Sequence, residues 1–151
     1  MTEVAFHFNV PGKLPYACRL LRKIYQSGKR ARVIGPVELI GQLEQALWTF
    51  SAPDFIPHCG AGAGPAVLAH SPIVLATIAA DAPRENDVSQ SCDVLVNLGA
   101  PPPEALERYA RLIELVSQDD EQDRAQARAR WRHYAERGCA ITRHDLLAAR
   151  P

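Results

Sequence analysis

Three residues at helical spacing carry the most specific chemistry in this chain: Arg124, Arg128 and Trp131. With 3.6 residues per turn, positions i, i+4 and i+7 share a helix face, and Arg132 flanks that face one turn after Arg128. Guanidinium forks pair with carboxylates, and an indole offers a flat apolar wall. A ring set among arginines therefore suits a ligand that is anionic and also has an aromatic or apolar end. The same spacing is met on solvated helix faces, with Trp131 and Tyr134 as core anchors. The helix itself is well specified: Asp119-Asp120-Glu121 puts negative charge at its positive N-terminus, its interior lacks Pro and Gly, and Gly138 offers a stop.

Other constellations point less firmly. His58-Cys59 has the residue types of a base and a thiol nucleophile, but neighbouring residues on an irregular chain usually diverge, and no third, orienting group is evident. Gly60-Ala61-Gly62-Ala63-Gly64 has the composition of a phosphate-cradling loop. A dinucleotide fingerprint needs its glycines directly between the first strand and its helix, and a triphosphate loop needs a closing Lys-Ser/Thr; neither condition is met. A small α/β nucleotide-binding protein or enzyme using residues 60–64 is the alternative reading. The five histidines form no metal spacing with cysteines or carboxylates, and no paired-carboxylate signature stands out. Catalytic residues, metal and cofactor are therefore all read as none.

The 151 residues are enough for one domain with a sizeable core. Formal net charge is zero, which argues against a general nucleic-acid binder, because such binding rests on neutralising many phosphates. Anion recognition must then be local, and the arginine helix is the locality. No apolar run reaches membrane-span length and no signal peptide is evident, so a cytoplasmic protein is expected. Cys18, Cys59, Cys92 and Cys139 are scattered, as structural thiols are.

The elements that must hold this helix follow from periodicity. Val4, Phe6 and Phe8 alternate on a strand ended by Pro11-Gly12. Pro15 to Ser27 predicts a helix, with Ala17, Leu20, Leu21 and Ile24 on one face. Arg30 to Ile34 predicts a strand. After Gly35-Pro36, a second helix carries Leu39, Ile40, Leu43, Ala46 and Leu47 inward. Strand, helix, strand, helix implies a parallel sheet. Trp48 to Ser71 is expected as a loop rich in large hydrophobes, either a partner surface or a cover for the core's edge. Ile73 to Ile78 and Asp93 to Asn97 are apolar runs of the kind buried parallel strands need, joined by a polar segment, Asp81 to Ser91. Glu104 to Val116 is ambiguous: propensity favours a helix from Pro103, whereas Leu112 to Val116 could be a strand. Ile141-Thr142 is a candidate edge strand.

Two stretches together resemble the chi subunit family of bacterial DNA polymerase III, an accessory protein of the clamp-loader assembly. The first is Leu43-Glu44-Gln45-Ala46-Leu47-Trp48, followed by Phe55-Ile56-Pro57-His58, similar to the family's "LDEALW" helix end and its following phenylalanine, aliphatic, proline and histidine. The second runs from Arg128 through Arg130, Trp131, Arg132, His133 and Tyr134 to Gly138, similar to a basic, aromatic-containing helix in the family. Ser27-Gly28-Lys29-Arg30 also matches the family's "SGKR".

The resemblance implies a single α/β domain with a mostly parallel central sheet, Rossmann-like but without a working nucleotide site, and it favours a strand at Leu112 to Val116. It implies no catalytic site, no cofactor and no direct nucleic-acid contact. One surface would face the psi subunit, with Trp48, Phe55, Ile56 and Pro57 contributing. Another, lined by Arg124, Arg128, Trp131 and Arg132, would receive the acidic, phenylalanine-ending C-terminal tail of single-stranded-DNA-binding protein. Arg124 and Arg132 stand where the family commonly has lysines, and Trp131 where it has a tyrosine. Charge and ring are kept, while the phenolic hydroxyl is lost.

Overall fold

The computed structural model describes residues 2–49, 57–60, 72–77, 93–102 and 109–146. Their strands form one seven-stranded sheet in which every pairing is parallel. In chain order the elements are β1 (Glu3–Val10), α1 (Lys13–Gln26), β2 (Ala31–Gly35), α2 (Val37–Thr49), β3 (His58–Gly60), β4 (Ile73–Thr77), β5 (Val94–Asn97), β6 (Arg111–Ser117), α3 (Glu121–Glu136) and β7 (Ala140–Asp145). Across the sheet the order is β3-β4-β2-β5-β6-β1-β7.

Both faces of the sheet are covered, as a parallel sheet of near-continuous apolar strands requires. On one face α1 and α2 bury Ala17, Leu21, Ile24, Ile40, Leu43 and Leu47 against Val33, Leu75, Val96, Ile113 and Leu115. On the other, α3 packs Ala127 and Tyr134 against Val4, Phe6, Leu95, Leu112 and Val116. The period-2 alternation of β1 thus sends Phe6 and Phe8 toward α3.

Local signals explain the helix limits. Gly28, at φ +79, stops α1 in a left-handed conformation that a side chain disfavours. The N–H of Ile40 donates to the carbonyl of Pro36 as α2 begins. Asp120 caps α3, its carboxylate accepting from the Asp123 N–H at 3.1 Å.

The stretch from Trp48 to Ser71 is not wholly a loop. Trp48 lies inside α2, and His58–Gly60 is a short edge strand, His58 pairing with Ile73 of β4. Three residues are too few to show a period, and this strand exists because β4 offers a free edge. In the ambiguous region Arg111–Ser117 is a strand, paired to β1 and β5 on both sides. Helix-favouring residues are overridden there because the central slot of the sheet can only be filled by extended chain. The expected helix start at Pro103, the polar segment from Asp81 to Ser91, and Phe55, Ile56, Gly62 and Gly64 lie outside the described residues.

Candidate functional site

The site is assembled from β1, β6, α3 and β7. β1 and β6 lie side by side and present Phe6, Phe8 and Val116 upward as an apolar floor. α3 crosses above with Ala127, Arg130 and Tyr134 turned inward, at i, i+3 and i+7. That rotation puts Trp131 half-buried at the margin, its ring centroid 4.8 Å from that of Phe6. It leaves Arg124, Arg128 and Arg132 exposed at successive fourfold steps along the same side of the helix. From the neighbouring strand, Arg143 completes the rim: β7 pairs with β1 so that Arg143 stands opposite Phe6. These residues enclose an open cavity of about 580 Å³.

All four residues expected at the arginine helix, Arg124, Arg128, Trp131 and Arg132, line this one cavity. Among the described residues, no carboxylate pairs with Arg124, Arg128, Arg132 or Arg143. In a chain of zero net charge, four guanidinium groups around an apolar floor, none with a described carboxylate partner, form a local positive field. Such a site can hold an extended anionic chain with an apolar end.

Beside the floor, in the same layer between α3 and the sheet, a buried polar network fixes α3 in place. Glu114, fully buried in β6, accepts from Arg130 Nε at 2.8 Å, from the Tyr134 hydroxyl at 2.5 Å and from Asn97 Nδ2 at 2.9 Å. Asn97 also donates to the carbonyl of Ala100 and accepts from the N–H groups of Gly99 and Ala100. Burial pushes the Glu114 carboxyl above its ordinary range, against the pull of the Arg130 guanidinium and of the three donors. Burial and the adjacent Glu114 likewise push the Tyr134 phenol up. The network sets the rotation of α3 about its axis and hence which arginines face the cavity.

A second crevice, of about 560 Å³, opens between the C-terminal ends of β1 and β6, whose following helices go to opposite faces. Doubly wound sheets hold ligands at such a switch point. Here Lys13 Nζ is committed to Asp123 Oδ2 at 2.8 Å and to the carbonyl of Leu98 at 2.6 Å. Asp123 also accepts from the Ser117 N–H at 2.8 Å. Asp120 and Asp123 both line the crevice, so a phosphate would meet two carboxylates and an ammonium already paired. The charged groups of this crevice are thus engaged with one another in a largely buried ion pair. In the residue 60–64 segment, Gly60 ends β3. His58 and Cys59, as successive strand residues, face opposite sides of the sheet, which separates the base and thiol pair.

Of the second expected surface, Trp48 is 63% exposed on α2 and meets the edge of the His58 ring at a centroid distance of 5.3 Å. Pro57, half-buried, directly precedes β3, so α2's end and this edge of the sheet adjoin. Phe55 and Ile56 lie outside the described residues.

The sequence reading did not place Phe6, Phe8, Val116, Ala127 or Arg143 at the site, nor Glu114 and Arg130 beside it. One signal was available: a lone carboxylate inside Leu112-Ile113-Glu114-Leu115-Val116 must find a buried cation. Arg143 carried none, since its place depends on β7 returning beside β1.

The model of the family described as DNA polymerase III chi subunit, HolC, matches residues 1–142 of the chain. No curated protein matches it.

Proposed function

The chain belongs to the DNA polymerase III chi subunit family, and we propose that it acts as a non-catalytic bridge between single-stranded-DNA-binding protein and the clamp loader. Membership carries a role as an accessory subunit in DNA replication. The finer reading is that the arginine-rimmed cavity takes the acidic, phenylalanine-ending C-terminal tail of single-stranded-DNA-binding protein, and that the surface around Trp48 and Pro57 takes the psi subunit. On this reading the protein works in the cytoplasm and touches no nucleic acid itself.

The observation that carries the reading is the set of guanidinium groups on Arg124, Arg128 and Arg132, with no carboxylate partner among the described residues, beside the apolar floor of Phe6, Phe8 and Val116. An acidic chain is steered by the arginines, and its final phenyl ring fits the floor and the Trp131 ring. Because the guanidinium groups are exposed, the electrostatic part is screened by salt. For psi, exposed Trp48 supplies the kind of aromatic anchor that dominates protein interfaces.

The test is a titration of a fluorescent acidic peptide ending in Ile-Pro-Phe against the wild type and Arg128→Ala, at low and high salt. Loss of binding with Arg128→Ala, with removal of the peptide's last Phe, and with salt is the expected result. Absence of binding at low salt would refute the tail site. The nucleotide-binding alternative predicts a higher melting temperature in millimolar nucleotide, and no shift is expected.

A further inference from the structure

We propose that His7 and His144 form a two-histidine chelate for a late first-row divalent metal ion, Cu2+ above all, on the face of the sheet opposite the arginine-rimmed cavity. The two residues stand on neighbouring parallel strands, paired in register between β1 and β7. Alternation along β1 sends Phe6 and Phe8 toward α3 and therefore His7 toward the α1 side, where Tyr16 of α1 meets it. His144, opposite His7 in the ladder, shares that side. No spacing along the chain brings the two histidines together; the return of β7 beside β1 does.

The His7 ring has one nitrogen engaged and one not. Nδ1 and the Tyr16 hydroxyl are hydrogen-bonded at 2.5 Å. Nε2 is closed off from solvent and has no hydrogen-bond partner among the described residues. Buried polar atoms are normally satisfied, so an orphaned ring nitrogen calls for a reason. With its proton on Nδ1 and donated to Tyr16, His7 presents the Nε2 lone pair, which is how metal-binding histidines are commonly oriented. Burial, helped by His144, Arg111 and Lys23, holds the His7 pKa down at about 4. At neutral pH no proton therefore competes for that lone pair.

The ring centroids of His7 and His144 are 4.8 Å apart and the ring planes are inclined at 58°, so the rings do not stack face to face. A metal ion bonded at about 2.0–2.1 Å to an imidazole nitrogen lies roughly 3.2 Å from the ring centroid. Two centroids 4.8 Å apart then subtend about 95° at a shared ion. That is close to the right angle between adjacent positions of a tetragonal Cu2+ or Ni2+ ion, and narrower than the tetrahedral angle of zinc. Among the described residues no third histidine, cysteine or carboxylate completes a group, so water fills the remaining positions. His144 is half-buried on the edge strand, and an ion enters from that side. Arg111 and Lys23 oppose a dication there, which favours the ion with the strongest bond to imidazole, and Cu2+ heads that order. The bound ion ties β7, which is hydrogen-bonded to the sheet on one side only, to β1.

The experiment titrates the full chain with Cu2+, Ni2+ and Zn2+ salts at neutral pH, for the wild type, His7→Gln, His144→Gln, Tyr16→Phe and His133→Gln. The wild type should bind one Cu2+ per chain, more tightly than Ni2+ or Zn2+, with an EPR spectrum showing coupling to two imidazole nitrogens. His7→Gln and His144→Gln should each weaken Cu2+ binding by at least about tenfold and remove one nitrogen coupling. Tyr16→Phe keeps both ligands but frees Nδ1, and should weaken binding by about tenfold. His133→Gln, at an exposed position on α3, should change nothing. Should His7→Gln disturb folding, His144→Gln on the edge strand decides the matter. Cu2+ affinity unchanged in His144→Gln, or a wild-type spectrum with one nitrogen coupling or none, would overturn the chelate. The pair lies on the other face of the sheet, so neither result bears on the tail cavity.

Discussion

Replacing Arg130 with Met should be the most damaging single change on α3, and its consequences are specific enough to check. Arg130 is 4% exposed and its Nε donates to Glu114 Oε2 at 2.8 Å, while Glu114 is fully buried. Met fills the space but removes the cation, leaving a carboxylate in the interior with only neutral donors. Breaking a buried pair in this way costs about 3–5 kcal/mol at neutral pH. Burial already raises the Glu114 pKa, and loss of Arg130 removes the largest influence lowering it, so the folded-state value moves further up. A raised folded pKa contributes stability that is full below the unfolded value and is lost as pH rises through the folded one. The deficit of Arg130→Met relative to the wild type should therefore shrink as pH falls from about 7 to 5, where the carboxyl takes a proton. Adding Glu114→Leu removes the stranded charge and should recover much of the loss. A residue of about 1–3 kcal/mol would persist for the Tyr134 hydroxyl, which loses its acceptor. Urea unfolding of the two singles and the double at both pH values measures these terms. If the losses of the two singles simply add in the double, the picture of a charge pair that is costly only when broken is wrong.

His7 should make stability fall on the acid side. Its ring is hydrogen-bonded to the Tyr16 hydroxyl at 2.5 Å and lies 4.8 Å from the His144 ring, and burial with the nearby His144, Arg111 and Lys23 holds its pKa down at about 4. A depressed folded pKa means that this contribution is present above the unfolded value of 6.5 and is lost as pH falls through about 4. The loss should be roughly 1–2 kcal/mol after solvent screening, seen as a slope in urea midpoints that His7→Gln flattens, with an NMR titration of the ring reading the midpoint directly. Asp120→Ala should destabilise by about 1 kcal/mol through loss of the α3 cap, measured by thermal melting, with peptide binding largely kept. Leu21→Ala, at a fully buried position between α1 and the sheet, should cost about 2–5 kcal/mol in urea unfolding. Trp48→Ala should leave tail-peptide affinity unchanged while weakening psi in a pull-down titration, because Trp48 is not among the residues lining the tail cavity.

The chain's own residue order determined most of the architecture. Period-2 alternation in β1, the 3.6 period in α1 and α2, and apolar runs at β4 and β5 are local consequences of burying one face or two, so they are visible without knowing what lies opposite. The arginine stripe was visible for the same reason: spacing within one helix is a local property, and Arg124, Arg128, Trp131 and Arg132 do line one cavity. Three things were decided only by tertiary structure. Arg111–Ser117 became a strand because β1 and β5 leave a slot between them, which local propensity does not encode. His58–Gly60 became a strand because β4 had an edge to pair, where three residues have no period to reveal. Arg143 joined the site, and Glu114 met Arg130 beside it, because β7 returns beside β1 and α3 lies over β6. Contacts between elements distant in sequence depend on how those elements pack, and no spacing along the chain records that.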